Sequence, residues 1–352
     1  MSNRRDMPSP FSGRRWAIGF VAVAGALLPS CAAHAAPRHA LTGYVVFYDN
    51  GASARDWMRT ANAWESVTFD AGSITPSAGV EVQVPAWAIS FVRTHRIRAQ
   101  LCVSNYGTSD FDAGELDAIL RSATLTRTLE TNLVSAVRHG PYSGLNVDFE
   151  LNPPKDASRF VGFLSALRQR LHAIGKTLTV DLPARTPSDT WDGGYDFAAI
   201  GSAVDRVDLM AYDYSYPGGP AGPLAPVPWV ESALRYAVAY IPVDKILLGI
   251  PAYGYDWYGT QTGQLTLPQT DQELGRLHIV PRWDQVSSSP WYAYTDPRGA
   301  RHEVHYENAR SLAPLLRLAQ RYDVHGVSLW YIGSEDKGFW PPLLRYAAGR
   351  TP

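Results

Sequence analysis

Cysteine is nearly absent: two residues in 352, Cys31 and Cys102, give no basis for a disulfide framework. Cys31 falls in a leader-like segment and would be removed or lipidated. Cys102 then stands alone, and we expect a small buried hydrophobe in an apolar strand. Charge of one sign is missing as well. Lys and Arg number 32 against 33 Asp and Glu, the formal net charge is -1, and no long basic run occurs, which argues against nucleic acid as a partner. Long hydrophobic runs are lacking too. Trp16 to Leu28 is an uncharged stretch of 13 residues, short of the roughly 20 that span a bilayer, so no transmembrane span is expected in the mature chain. No His/Cys cluster has zinc spacing, and Asp49, Asn50 and Asp70 offer too few oxygens for a hard cation. No Gly-x-Ser-x-Gly or zincin signature of a secreted esterase or protease occurs. Neither a metal nor a cofactor is expected.

What is present begins with an export signal. Arg4, Arg5, Arg14 and Arg15 precede the apolar run, and Pro29 and Ala33-His34-Ala35, an A-x-A cleavage site, follow it. Residues 1–35 are therefore expected to be a signal peptide and 36–352 the mature protein, periplasmic or secreted. Arg14-Arg15-Trp16 weakly resembles a twin-arginine signal. Leu28-Pro29-Ser30-Cys31 loosely resembles a lipoprotein box, which would anchor the chain at Cys31. The composition is 45% apolar, 12% aromatic and 18% charged, enough for one α/β barrel or two smaller domains. Eleven Trp and 19 Tyr suit sugar stacking, and suit a large core as well.

The stretch that organises the rest is Leu145 to Glu150. Leu145, Val147 and Phe149 alternate with Asn146, Asp148 and Glu150, the period of two of a strand. Leu151-Asn152-Pro153-Pro154 then ends it. Glu150 closes the strand, with Asp148 one same-face step behind, about 6.7 Å at roughly 3.3 Å per residue. An edge strand with a solvated acidic face would read the same way in isolation. Paired carboxylates at the C-terminal end of a barrel strand are also how glycosidase sites are built.

Seven further strands are expected at Tyr44–Tyr48, Ser66–Phe69, Arg98–Asn105, Thr177–Leu182, Val207–Tyr214, Ile246–Tyr253 and Gly326–Tyr331. Helical stretches fall between most of them: Ser53–Trp64, Trp87–His95, Gly114–Arg138, Ala157–Ile174, Tyr195–Ala203, Trp229–Tyr240 and Ala309–Tyr322. Eight alternations point to a (β/α)8 TIM barrel. The runner-up, an open doubly wound sheet, lacks a glycine-rich phosphate fingerprint after its first strand. Between strand 7 and helix 7 lies a long interval, about 258–308. It holds helix-like Asp271–Leu277 and hairpin-like Trp291–Tyr294 and Glu303–Tyr306, so a small α+β insertion walling the groove is expected.

Ser143 to Glu150 resembles the fourth-strand signature Asp-x-x-Asp-x-Asp-x-Glu of glycoside hydrolase family 18. Asp148 and Glu150 match its last two positions, while Ser143 and Asn146 stand where the family usually has Asp. Met210-Ala211-Tyr212-Asp213 matches the sixth-strand Met-x-Tyr-Asp, and Trp330 falls where the eighth-strand tryptophan floors the sugar subsite. Gly218-Gly219-Pro220, Pro226 to Trp229, Lys245 to Tyr255 and Tyr292 to Glu307 are similar to the spore-cortex-lytic, peptidoglycan-acting branch, which has the small insertion. No wall-binding repeat is visible.

The resemblance implies a retaining, substrate-assisted hydrolase of glycans containing N-acetylglucosamine (GlcNAc). Glu150 would be the general acid, Asp148 would accept the acetamido N–H, and Tyr212 would bond the acetamido oxygen. Asn146, Asp213 and Trp330 are expected to bind substrate. Burial and the Asp148 charge should raise the Glu150 pKa, while Asn146 removes one negative charge from the site. Tyr48, Asn105, Tyr106, Asp181, Arg185 and Tyr253 end strands and are candidate groove residues, with Tyr48 and Tyr253 preferred. Trp257, Trp283 and Trp291 are candidate outer platforms. The expected partner is a GlcNAc-containing polysaccharide, bound by a monomer. A barrel that binds GlcNAc polymers without cutting them is the alternative, although such lectins usually lose the acid that Glu150 retains.

Overall fold

The structure is a computed structural model that describes residues 39–352, apart from positions 50, 109, 191 and 192. The expected signal peptide with Cys31, and Asn50, lie outside the described residues. In chain order the strands are β1 (Ala40–Val45), β2 (Ser66–Ile74), β3 (Val80–Val82), β4 (Ala99–Ser104), β5 (Gly144–Asp148), β6 (Thr177–Pro183), β7 (Arg206–Met210) and β8 (Ile246–Pro251). They continue with β9 (Tyr253–Tyr258), β10 (Gln261–Thr266), β11 (Arg282–Asp284), β12 (Ser289–Thr295), β13 (Arg301–Tyr306) and β14 (Gly326–Trp330). The helices begin with α1 (Ala52–Thr60), α2 (Ala86–His95), α3 (Ala113–Arg121), α4 (Ala123–His139) and α5 (Ala157–His172). After them come α6 (Phe197–Ala203), α7 (Val227–Tyr240), α8 (Leu267–Leu277), α9 (Ala309–Arg321) and α10 (Trp340–Ala347).

Eight of the strands pair in parallel in the order β1-β14-β8-β7-β6-β5-β4-β2, and β1 also pairs with β2. The sheet closes on itself, and the expected (β/α)8 barrel forms. Period-two alternation gives each strand two unlike faces. Val45, Val67, Leu101, Val147, Val180 and Leu209 are fully buried on the outer face, against the helices. The inner face is polar: Thr42, Thr68, Gln100, Asn146, Thr179, Asp181, Asp208 and Ser328 are all buried there. Barrel interiors are ordinarily filled by branched apolar side chains, so this lining is a departure that the site makes use of.

The helix α5 buries Phe160, Phe163, Leu164, Leu167 and Leu171, the stripe that their 3- and 4-residue spacing predicts. It packs against β6, and its Phe160 and Phe163 rings meet Phe149 just past the end of β5. The expected single helix over 114–138 is broken instead. Ser122 takes an extended conformation (φ -101°, ψ 109°), and its hydroxyl accepts from Leu125 N to start α4. Four strands depart from their expected bounds: the second runs on to Ile74, and the sixth, expected to reach Tyr214, stops at Met210. The first runs over Ala40–Val45 rather than Tyr44–Tyr48, because Ala40 and Leu41 pair with Gly326 and Val327. The seventh ends at Pro251, and Tyr253 opens a second sheet.

That second sheet is the insertion: five antiparallel strands in the order β10-β9-β13-β12-β11, with α8 beside it. It begins at Tyr253, five residues ahead of the expected start at Tyr258, because the last turn of sequence before the insertion already pairs with β10 and β13. Thr266 and Gln269 form a capping box at the start of α8. The short β3 and the final α10 have no counterpart among the expected elements.

Phe149 couples this scaffold to the site. It is 1% exposed, with the Phe163 and Phe160 rings centred 5.9 and 6.4 Å away. Its outward anchorage turns Asp148 and Glu150 inward. Phe149→Ala should cost about 3–5 kcal/mol, read as a lower denaturation midpoint; a loss below about 1 kcal/mol would show that the ring is not the anchor.

Candidate active site

Asp181 and Asp208 lie side by side, register partners on β6 and β7. The Tyr44 hydroxyl from β1 sits 2.8 Å from each Asp181 oxygen and 3.2 Å from Asp208 Oδ2. Asn146 Nδ2 donates to Asp181 Oδ1 at 2.6 Å and lies 3.3 Å from the Tyr44 oxygen. Asp148 stands next to this group: a carboxylate oxygen of Asp148, one of Asp181 and the Cys102 sulfur lie within 4.8 Å of one another. Asp148 Oδ1 is buried and has no hydrogen-bond partner among the described residues.

Glu150 lies beyond the end of β5, where Leu151 turns the chain with φ 56°. Two clamps fix this bend. Asn105 accepts from Glu150 N at 2.8 Å and donates to Glu150 O at 3.0 Å. The Tyr195 hydroxyl donates to Phe149 O at 2.9 Å and accepts from Asn152 N at 3.2 Å. On the facing side Tyr212 and Asp213 follow β7. The Asp213 backbone is left-handed (φ 57°), and its carboxylate accepts from the Tyr253 hydroxyl at 2.5 Å and the Tyr255 hydroxyl at 3.1 Å. Gly249 on β8 makes room for Tyr212: a Cβ there would stand 2.8 Å from Tyr212 Cε1 and 2.7 Å from Leu209 O.

Burial raises every carboxyl in this group. Glu150 is pushed up to about 7, by burial first and then by the charges of Asp213 and Asp110. The expectation that Asp148 would be the raising charge is corrected in this respect. Within that pair the repulsion appears on Asp148, held well above the usual carboxylate range by burial, then by Glu150 and Asp181. Asp208 is pushed up to about 7 by burial, against hydrogen bonds from Ser328 and Tyr44. Asp213 and Asp70 rise to about 6, again through burial. The acid that Asn146 replaces thus has counterparts on the neighbouring strands, Asp181 and Asp208.

Of the residues proposed from sequence, Asn146, Asp148, Glu150, Tyr212, Asp213, Trp330 and Tyr253 come together at the barrel mouth. Trp330 packs edge-on to Tyr44, ring centres 5.2 Å apart, and borders the Tyr253–Tyr255–Trp257 cluster. Tyr48 lies past the end of β1 and is 69% exposed, on the rim. Asn105 is a clamp. Arg185 sits over the Tyr236 ring of α7 at 5.5 Å. Trp291 and Trp257 join Tyr255 and His305 in one aromatic row across the insertion sheet. Trp283 takes the opposite face, its ring 3.7 Å beneath the Arg310 guanidinium. Cys102 is free and buried, as expected, though its neighbours are acidic. Sequence reasoning missed Tyr44 and Asp208. The inward phase of their strands was the available signal, since a Tyr and an Asp there break an apolar run.

A closed α/β barrel with acids gathered where the strands end is the frame on which glycosidase sites are built. The chain belongs to glycosyl hydrolases family 18, whose family model matches residues 95–335. It is similar to YdhD of Bacillus subtilis, described as a sporulation-specific glycosylase: 30% identical over 275 residues, 76% of this chain and 65% of that protein. It is also 31% identical to the cortical fragment-lytic enzyme of Bacillus anthracis over 253 residues, 69% of this chain and 59% of that one. The chain thus spans less than two thirds of the length of these relatives. Among solved structures, a chitinase from Chromobacterium violaceum is 34% identical, with TM-score 0.83, covering 89% of this chain and 100% of that one. The expected resemblance to the spore-cortex branch holds. No helix of the described residues is long and apolar enough to cross a membrane.

The raised Glu150 carboxyl has a cost that can be measured. Its folded pKa, about 7, lies above the unfolded value of about 4.3, so the folded chain binds the extra proton between those limits. Stability tied to this group is therefore lost as pH rises. Glu150→Gln should leave stability unchanged near pH 4 and raise it by on the order of 1–3 kcal/mol at pH 8; an equal effect at both pH values would contradict the burial.

Proposed function

We propose that this protein is an exported, retaining glycoside hydrolase that cleaves β-1,4 linkages in GlcNAc-containing glycans, chitin-type or peptidoglycan, by substrate-assisted catalysis. The observation that carries the reading is Glu150, a carboxylic acid buried at a strand end with its pKa pushed up to about 7. A general acid works best when its pKa is near the working pH. Glu150 gives its proton to the glycosidic oxygen as the bond to C1 breaks, and the carbonyl oxygen of the substrate's own 2-acetamido group attacks C1. A water then opens the resulting oxazolinium, with Glu150 taking the water's proton back, so the anomeric configuration is retained.

Asp148 is assigned the acetamido N–H, for which its unpartnered, buried Oδ1 is suited. It ends β5, two residues before Glu150, and is badly placed to attack the sugar from the opposite side. A held neighbouring acetamido group has the advantage of high effective molarity. Tyr212 is assigned the acetamido oxygen, and Trp330 the floor under the sugar ring. Membership in family 18 supports the reaction type. Similarity to a cortical fragment-lytic enzyme and to a chitinase supports the substrate class.

Glu150→Gln should cut turnover on an unactivated glycan by roughly 10²- to 10⁴-fold with oligosaccharide binding kept; near wild-type turnover would sink the assignment. Chitooligosaccharides and purified sacculi, digested side by side with products read by mass, separate the two substrate classes. The aromatic row of the insertion is assigned the outer sugars. Trp291→Ala should weaken binding of long oligomers by roughly 3- to 10-fold, the equivalent of a stacking contact of about 0.5–1.5 kcal/mol, and leave short ones unaffected. Equal loss for both lengths would place Trp291 outside the binding path.

A further inference from the structure

We propose that Asp181 is a positioning residue of this site: paired with Asp208, it holds on the neighbouring strands the negative charge that Asn146 cannot carry and so fixes the proton and orientation of Asp148. Tyr44 Oη is 2.8 Å from both Asp181 oxygens and 3.2 Å from Asp208 Oδ2, but a hydroxyl has one proton to give. Two buried carboxylates in register beside each other cannot both ionise cheaply, so the pair shares a proton and titrates as a unit. Each carboxylate also has a donor of its own: Ser328 bonds Asp208, and Asn146 Nδ2 reaches Asp181 Oδ1 at 2.6 Å, so the pair holds one negative charge between them.

That charge stands against Asp148, the nearest oxygens of Asp148 and Asp181 within 4.8 Å and no hydrogen bond between them. The titratable groups facing Asp181 are Tyr44 on β1, Cys102 on β4, Asp148 and Glu150 at β5, and Asp208 and Tyr212 at β7. None of them is cationic, so the charge of the Asp181–Asp208 pair is not cancelled within the group. A lone anion there raises the hold of Asp148 on a proton and repels its free carboxylate towards Glu150 and the barrel mouth. The amide at 146 does two things at once: it donates to Asp181 and adds no repulsion of its own.

The inference rests on the hydrolase reading, and the experiment separates the two. The pH–rate profiles to compare are those of wild type, Asp181→Asn, Asn146→Asp and the double variant Asn146→Asp/Asp181→Asn. Taking the Asp181 carboxyl away from Asp148 should lower the Asp148 pKa, and with it the acid limb of Asp181→Asn, by about one unit. Asn146→Asp should move it upward, and the double variant, which returns one carboxylate to the same hydrogen-bonded pair, should restore it. A merely structural role lowers kcat and leaves the limbs in place, and that outcome would overturn the proposal. If Asp181→Asn does not fold, the double variant read against Asn146→Asp reports the same charge. The ¹³C titration of the Asp148 carboxyl in these proteins needs no turnover. An inactive wild type with a shifted Asp148 titration would therefore defeat the hydrolase reading alone.

Discussion

Everything at this site depends on putting carboxylates inside a closed barrel. Asp148, Asp181 and Asp208 point into an interior that water does not fill freely, and Glu150 stands at its mouth. Charged oxygens there lose their hydration, and few donors replace it. The protein's answer is to keep protons on some of them. That is a burden on folding at neutral pH, and it is also what an acid catalyst requires. The same burial that destabilises the folded chain sets Glu150 near neutrality.

The scaffold makes this arrangement tolerable by separating two faces of each strand. Leu145, Val147 and Phe149 are buried beneath the helices, Phe149 against Phe160 and Phe163 of α5, so Asn146, Asp148 and Glu150 have only one direction to point. Around the mouth, polar side chains hold loops rather than substrate: Asn105 grips both backbone groups of Glu150, and Tyr195 binds Phe149 O. Tyr253 and Tyr255, from the insertion, do the same for Asp213. The insertion is thus tied to the acid side of the cleft through one carboxylate.

Much of this was legible in the sequence because it is periodic. The alternation around Asp148 and the apolar stripe of α5 are local patterns, and eight such alternations imply closure. What was illegible is what depends on contacts between strands. Tyr44 was read as the start of a strand rather than its inward-facing fifth residue, because the pairing of Ala40 with Gly326 leaves no local trace. Tyr253 was read as the end of the seventh strand, because an apolar aromatic run carries no mark where one sheet stops and another begins. Trp283 and Trp291 look alike in sequence, and only the register of β11 on β12 puts them on opposite faces. Asn146 reads in the sequence as a lost acid; only the pairing of β6 with β7 shows two further acids, Asp181 and Asp208, beside it.

The claim on which the rest stands is that burial keeps Glu150 protonated at neutral pH. The direct measurement is the ¹³C NMR titration of the Glu150 side-chain carboxyl in the free protein, assigned by the signal lost in Glu150→Gln. A midpoint near pH 7 is the expected result, given the carboxyl's position in the structure. A midpoint near the ordinary glutamate value of about 4.3 would contradict it.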